Sequence, residues 1–152
     1  MQSTTTTVTA SDGTALHTHR WLPDGSPKAV VQIAHGMAEH SARYARLAQA
    51  LTEHGYAVYA HDHRGHGATA SDADHGYFAD ENGWDAVVAD LRAVTRFAQE
   101  EQPGLPGFLL RHSMGSFLAR TYVLQDSRDL AGLVLSGTGG DPELMAQNLT
   151  RL

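Results

Sequence analysis

Gly107-Phe108-Leu109-Leu110-Arg111-His112-Ser113-Met114-Gly115-Ser116-Phe117-Leu118 reads as a short apolar strand, a sharp corner carrying a serine, and a helix that starts at once. A corner of this kind lifts a serine hydroxyl clear of the sheet, and the pattern is Gly-x-Ser-x-Gly except at one position. Strand and helix approach so closely there that side chains two residues either side of the serine collide. Gly115 meets that demand, and Arg111 stands where the first glycine belongs. A guanidinium at this turn is expected to clash or push the corner open, and burying its charge unpaired costs several kcal/mol. Asp62, at the end of a neighbouring strand, is the candidate partner.

Working outward, four apolar strands alternate with helical patterns. Upstream, residues 4–22 form a hairpin signalled by Asp12-Gly13. Ala29-Val30-Val31-Gln32-Ile33-Ala34 is a continuous apolar run, as expected of a strand buried on both faces of a parallel sheet. It leads into His35-Gly36-Met37-Ala38-Glu39-His40, then a helix with Tyr44, Leu47, Ala48 and Leu51 on one face, stopped by Gly55. A second buried strand, 56–60, runs into His61-Asp62-His63-Arg64-Gly65-His66-Gly67. From Asn82-Gly83, Trp84, Val87, Val88, Leu91, Val94 and Phe97 or Ala98 recur at helical spacing up to Pro103-Gly104. The serine helix follows, and residues 130–135 read as another buried strand ending in Ser136-Gly137-Thr138-Gly139-Gly140-Asp141. Strand–helix alternation of this kind predicts an α/β fold: a mostly parallel sheet with right-handed crossovers and helices on both faces. Ligands in such sheets bind at the carboxyl ends of the strands, so 35–40, 61–67, 111–115 and 136–141 are expected to gather on one rim.

Composition narrows the function. With 152 residues, 41% apolar and 18% charged, the chain is at most one globular domain. No run approaches the roughly 18 apolar residues that span a bilayer, so no transmembrane segment is expected. The first residues carry neither a basic cluster nor an apolar core, which points to a cytoplasmic location. Cysteine is absent, which removes disulfides and thiolate chemistry. A net charge of −6 without a basic, aromatic-interleaved run argues against nucleic acid. No Gly-rich phosphate loop follows the first buried strand, and no cofactor is expected.

Four motifs in one order, His35 to Tyr44, Ala60 to Gly67, Phe78 to Trp84 and His112 to Gly115, resemble the monoacylglycerol lipase and lysophospholipase branch of the α/β-hydrolases, also described as serine aminopeptidase-like. The resemblance runs from about residue 10 onward. It implies Ser113 as nucleophile, the backbone N–H groups of Met37 and Met114 as oxyanion hole, and His35, Gly36 and Gly115 as the residues shaping the supporting turns. The substrate it implies is an ester or lipid. His112, one residue before the serine on its strand, is expected to pack away from it rather than act as base.

In this family the acid and base follow the nucleophile, on strands beyond residues 130–135 with a lid between. Asp141 and Glu143 stand at the start of the segment leading into the lid, and no histidine follows His112. The expectation is therefore a partial core over residues 1–152, truncated before the lid and last strands, with ester hydrolysis impaired or lost. An unpaired sheet edge then invites self-association. Two other readings stand beside it. One is a non-catalytic remnant or half-domain that pairs with another chain. The other is a metal-dependent hydrolase using His61, His63 and His66, a set in which Gly65 occupies the place of a needed aspartate.

Overall fold

The computed structural model describes residues 1–140; Asp141 and Glu143 lie outside the described residues. Strands β1 (Gln2–Thr9) and β2 (Ala15–Leu22) form the expected hairpin. Then come β3 (Ala29–Ala34), α1 (Ala45–Glu53), β4 (Tyr56–His61), α2 (Gly83–Glu101), β5 (Gly107–His112), α3 (Met114–Gln125) and β6 (Gly132–Ser136). The six strands make one sheet in the order β1-β2-β4-β3-β5-β6. β4, β3, β5 and β6 run parallel, and β2 joins β4 antiparallel.

All six residues of β3 are buried, the physical outcome of a strand with neighbours on both sides and helices on both faces. On one face α1 covers Val31, Ile33, Val58 and Ala60 with Ala48. On the other, α2 and α3 pack Val87, Val88, Leu91, Leu118 and Tyr122 onto Ala34 and Leu109. The buried positions of α2, including Val94 and Ala98, follow the helical spacing read from the sequence. Trp84 departs from it: the indole is 40% exposed and donates to Thr121 Oγ1 at 3.0 Å.

The hairpin is locked to α2 by charge. Arg64 makes two hydrogen bonds of 2.7 Å to the fully buried Asp90 and one of 2.8 Å to Asp12 in the hairpin turn. A bidentate guanidinium–carboxylate pair of this geometry is among the stronger polar contacts available.

β6 departs from the buried strand expected at residues 130–135. It begins at Gly132 and lies at the sheet edge, none of its residues is fully buried, and Val134 is 53% exposed. Beside it, on the α1 face, an apolar groove of about 220 Å³ is lined by Val31, Leu51, Tyr56, Phe108, Leu110 and Val134. Among the described residues no strand pairs with the outer side of β6, and an apolar strand open on one side is a ready template for further polypeptide.

Candidate active site

The carboxyl ends of β3, β4, β5 and β6 open onto one rim, and Ser113 stands on it between β5 and α3. Its backbone lies at φ 50°, ψ −120°, a conformation costly for a residue with a side chain and the mark of a strained corner. The corner is held on both sides: the Ser113 N–H donates to Ser136 O at 2.9 Å, and Ser113 O accepts from the N–H and hydroxyl of Ser116 at 2.8 and 2.7 Å.

Two glycines allow the close approach. A Cβ on Gly115 would lie 2.6 Å from Ala34 O and 2.8 Å from His35 O, so α3 starts directly against the end of β3. Because both obstacles are backbone atoms, Gly115→Ala should destabilise the fold by about 2–3 kcal/mol despite alanine's better helix propensity. Urea denaturation measures this; an unchanged midpoint would mean that the corner has slack. A Cβ on Gly36 would lie 3.1 Å from Ser113 Cβ, which puts the His35–Met37 turn beside the serine.

Neither the Met37 nor the Met114 amide has a hydrogen-bond acceptor among the described residues. Met114 is the first residue of α3, so its N–H has no acceptor within the helix and sits at the positive end of the helix dipole. Their side chains differ: Met114 fills the α2–α3 core, whereas Met37 is 56% exposed. Met37 also lines a cavity of about 520 Å³ beside the rim, together with Glu39, His40, His66 and His75.

Arg111 neither clashes nor opens the corner. It stays in β5, in register with Ala34 and Leu135, on the same face as Leu109, and its side chain is wholly buried. Ala34 is small enough to leave room beside it. None of the three guanidinium nitrogens has a hydrogen-bond partner among the described residues, and burial pulls the Arg111 pKa down to about 9. Asp62 is not its partner. That carboxylate accepts the Ser41 N–H at 2.6 Å, the Ser41 hydroxyl at 2.5 Å and the Ala68 N–H at 2.7 Å, stitching the β3 and β4 loops together. Burial pushes the Asp62 pKa up, and those three donors outweigh it and hold it below its ordinary value.

The histidines are mostly structural in geometry. His61 and His63 are completely buried, their rings perpendicular with centroids 4.8 Å apart. His63 Nε2 faces His35 O at 3.2 Å and His66 Nδ1 faces Arg64 O at 3.1 Å, so both rings turn towards backbone carbonyls. Among the described residues no group of three or more His, Asp or Glu side chains comes together in metal-binding geometry. Burial lowers the pKa of His35 to about 4 and of His61 to about 3, and that of His63 well below its ordinary value. His112 lies on the face of β5 opposite Arg111, half-buried, with its ring against Gly36 and Gly137.

Sequence reading thus brought Ser113, His35, Gly36, Met37, Met114 and Gly115 to one place. It did not find the part played by Asp62, nor that of Glu39, whose carboxylate accepts the Gly36 N–H at 2.9 Å and the Tyr44 hydroxyl at 3.0 Å. Both act through loops distant in sequence or through backbone amides, which leave no residue pattern.

The chain is similar in sequence and in fold to known proteins. The chain is 38% identical over 125 residues to the monoglyceride lipase of Homo sapiens, covering 82% of this chain and 40% of that protein. It is also 38% identical over 117 residues to the monoacylglycerol lipase of Mycolicibacterium smegmatis, covering 77% and 40%. Its fold superposes on a thermostable carboxyl esterase from Bacillus coagulans solved with glycerol, at a TM-score of 0.86 and 33% identity, over 99% of this chain and 51% of that one. The chain therefore spans between two fifths and about half the length of these relatives. Among the described residues no helix is long and apolar enough to cross a membrane. The family model for serine aminopeptidase S33 matches residues 25–152, and the chain belongs to that family of α/β-hydrolases.

Proposed function

We propose that this chain carries the acyl-transfer half of a serine ester hydrolase whose substrates are monoacylglycerol- or lysophospholipid-like esters. The observation that carries the reading is the strained Ser113 corner, flanked by two amides that have no acceptor among the described residues. In the first step Ser113 Oγ attacks the ester carbonyl carbon and gives its proton to a base. The carbonyl oxygen takes the negative charge and is held by the Met37 and Met114 N–H groups. Collapse expels the alcohol, which takes the proton, and leaves an acyl-serine that water hydrolyses in the second step. The monoacylglycerol part of this substrate class rests on the human and mycobacterial relatives, a monoglyceride lipase and a monoacylglycerol lipase, and the lysophospholipid part on the motif resemblance alone.

A base is needed, and no histidine follows His112 in these 152 residues. The proposal is that further polypeptide seated along the open edge of β6 and its apolar groove brings the acid and base to the rim. Such polypeptide is either covalently continuous or a separate chain, a second copy included. Without it the chain is a non-catalytic half-domain, a reading also favoured by the buried Arg111, whose guanidinium has no partner among the described residues.

Fluorophosphonate labelling followed by intact-mass analysis tests this, with sizing chromatography on the same sample. One adduct that disappears in Ser113→Ala is the expected result, at a rate that rises in whatever assembled form carries the base. A folded chain that takes no adduct in any form would leave Ser113 inert and make the half-domain reading the correct one.

A further inference from the structure

The peptide group between Gly36 and Met37 is clamped from one side by an imidazole whose tautomer is dictated by its neighbours. His35 Nδ1 lies 2.7 Å from Gly36 O, and a carbonyl can only accept, so Nδ1 carries the hydrogen. His35 Nε2 lies 3.0 Å from the His63 backbone N, and an N–H can only donate, so Nε2 is bare. The ring is 1% exposed, and His63 in return donates from Nε2 to His35 O at 3.2 Å. On the near side of the turn, the Gly36 N–H is tied to Glu39 Oε2.

A trans peptide is planar, with its C=O and N–H pointing in opposite directions. Holding Gly36 O against a buried ring therefore turns the Met37 N–H the other way, out of the core and towards the rim. We propose that His35 is a positioning residue that fixes the Gly36–Met37 peptide plane and so aims the Met37 amide at the oxyanion formed on the ester bound to Ser113. This rests on the reading of Ser113 as nucleophile and deepens it. A ring that only filled space would need neither a set tautomer nor a bond to that one carbonyl, and the second bridge to His63 makes the aim of the amide depend on the loop after β4.

The test joins two readouts on the whole chain. Long-range ¹H–¹⁵N spectra of the imidazoles report the tautomer directly, and fluorophosphonate labelling, normalised to the folded fraction, reports the oxyanion site. His35 should appear as the Nδ1–H tautomer. His35→Leu should label about 10²-fold more slowly, the usual effect of losing one oxyanion donor, and shift the Met37 amide resonance. His35→Asn, whose side-chain NH₂ reaches the position of Nδ1, should recover most of the rate although it is no better a core residue than leucine. Equal labelling of wild type and His35→Leu, or an Nε2–H tautomer, overturns this proposal alone. A folded wild type that takes no adduct removes the serine reading and this proposal with it. Should His35→Leu fail to fold, the wild-type tautomer and the rate in His35→Asn decide: an Nε2–H ring, or a rate in His35→Asn as slow as that expected of leucine, overturns it.

Discussion

Replacing Arg111 with methionine raises the stability of the folded chain by about 3 kcal/mol, within the range seen when buried charged groups give way to apolar side chains of similar volume. The guanidinium is wholly enclosed, its three nitrogens lack partners among the described residues, and burial alone drags its pKa to about 9, so it still carries its charge at neutral pH. Methionine keeps an unbranched apolar stem against Leu109 and Ala34 and removes the charge. Arg111→Gly restores the usual glycine but leaves a void beneath α2 and α3, and its gain should be smaller. Urea midpoints of the two variants against wild type measure both effects. A loss of stability in Arg111→Met would show that the charge has a counterpart, and the place to seek it is the polypeptide that completes the rim.

Acidification should unfold the chain steeply between about pH 6 and pH 4. An imidazole that stays neutral in the fold but charges at about 6.5 in the unfolded chain makes the unfolded state bind more protons throughout that interval. Stability is therefore complete above about pH 6.5 and falls as pH drops towards the folded values, which are about 4 for His35 and about 3 for His61, with His63 also well down. Burial is the main cause in all three, and the positive charge of Arg111 adds to it for His61 and His63. Each group contributes a slope of about 1.4 kcal/mol per pH unit, or about 4 kcal/mol per unit for the three together. Two units of that, about 8 kcal/mol, exceed the stability of a domain in the lower part of the usual range of about 5–15 kcal/mol, which is where a partial core falls. Circular dichroism against pH reads the transition. His61→Leu should flatten it by about one third, because neither nitrogen of that ring has a partner among the described residues to lose. A fold that persists unchanged to pH 4 would mean that these rings reach water.

Both predictions arise from the same design. The loops after β3, β4 and β5 are packed with side chains that must remain neutral or paired, so the rim is only as rigid as its polar groups are satisfied. Asp62, Glu39 and the Arg64–Asp90 pair meet that demand. Among the described residues Arg111 does not, nor do the two ring nitrogens of His61 and Nδ1 of His63, and of these only the Arg111 group carries a charge at neutral pH.

The amino-acid sequence by itself determined what local chemistry can determine. The apolar run 29–34 reads as a strand buried on both faces, the three- and four-residue spacing of Val87, Val88, Leu91 and Val94 as a helix face, and Ser113-Met114-Gly115 after an apolar strand as a corner, and the fold has all three. Strand–helix alternation then carried the parallel sheet and the shared rim with it, because right-handed crossovers leave few other arrangements. What the tertiary structure decided are contacts between positions far apart in the chain. Asp62 serves Ser41 and Ala68 rather than Arg111, the His35 ring meets its own turn and His63, and Arg64 reaches back to Asp12 and forward to Asp90. Partner choice among buried polar groups depends on distances of a few tenths of an ångström, set only when the sheet and both helix layers have packed. Residue type limits which bonds a side chain can make, and packing alone selects which of them it does make.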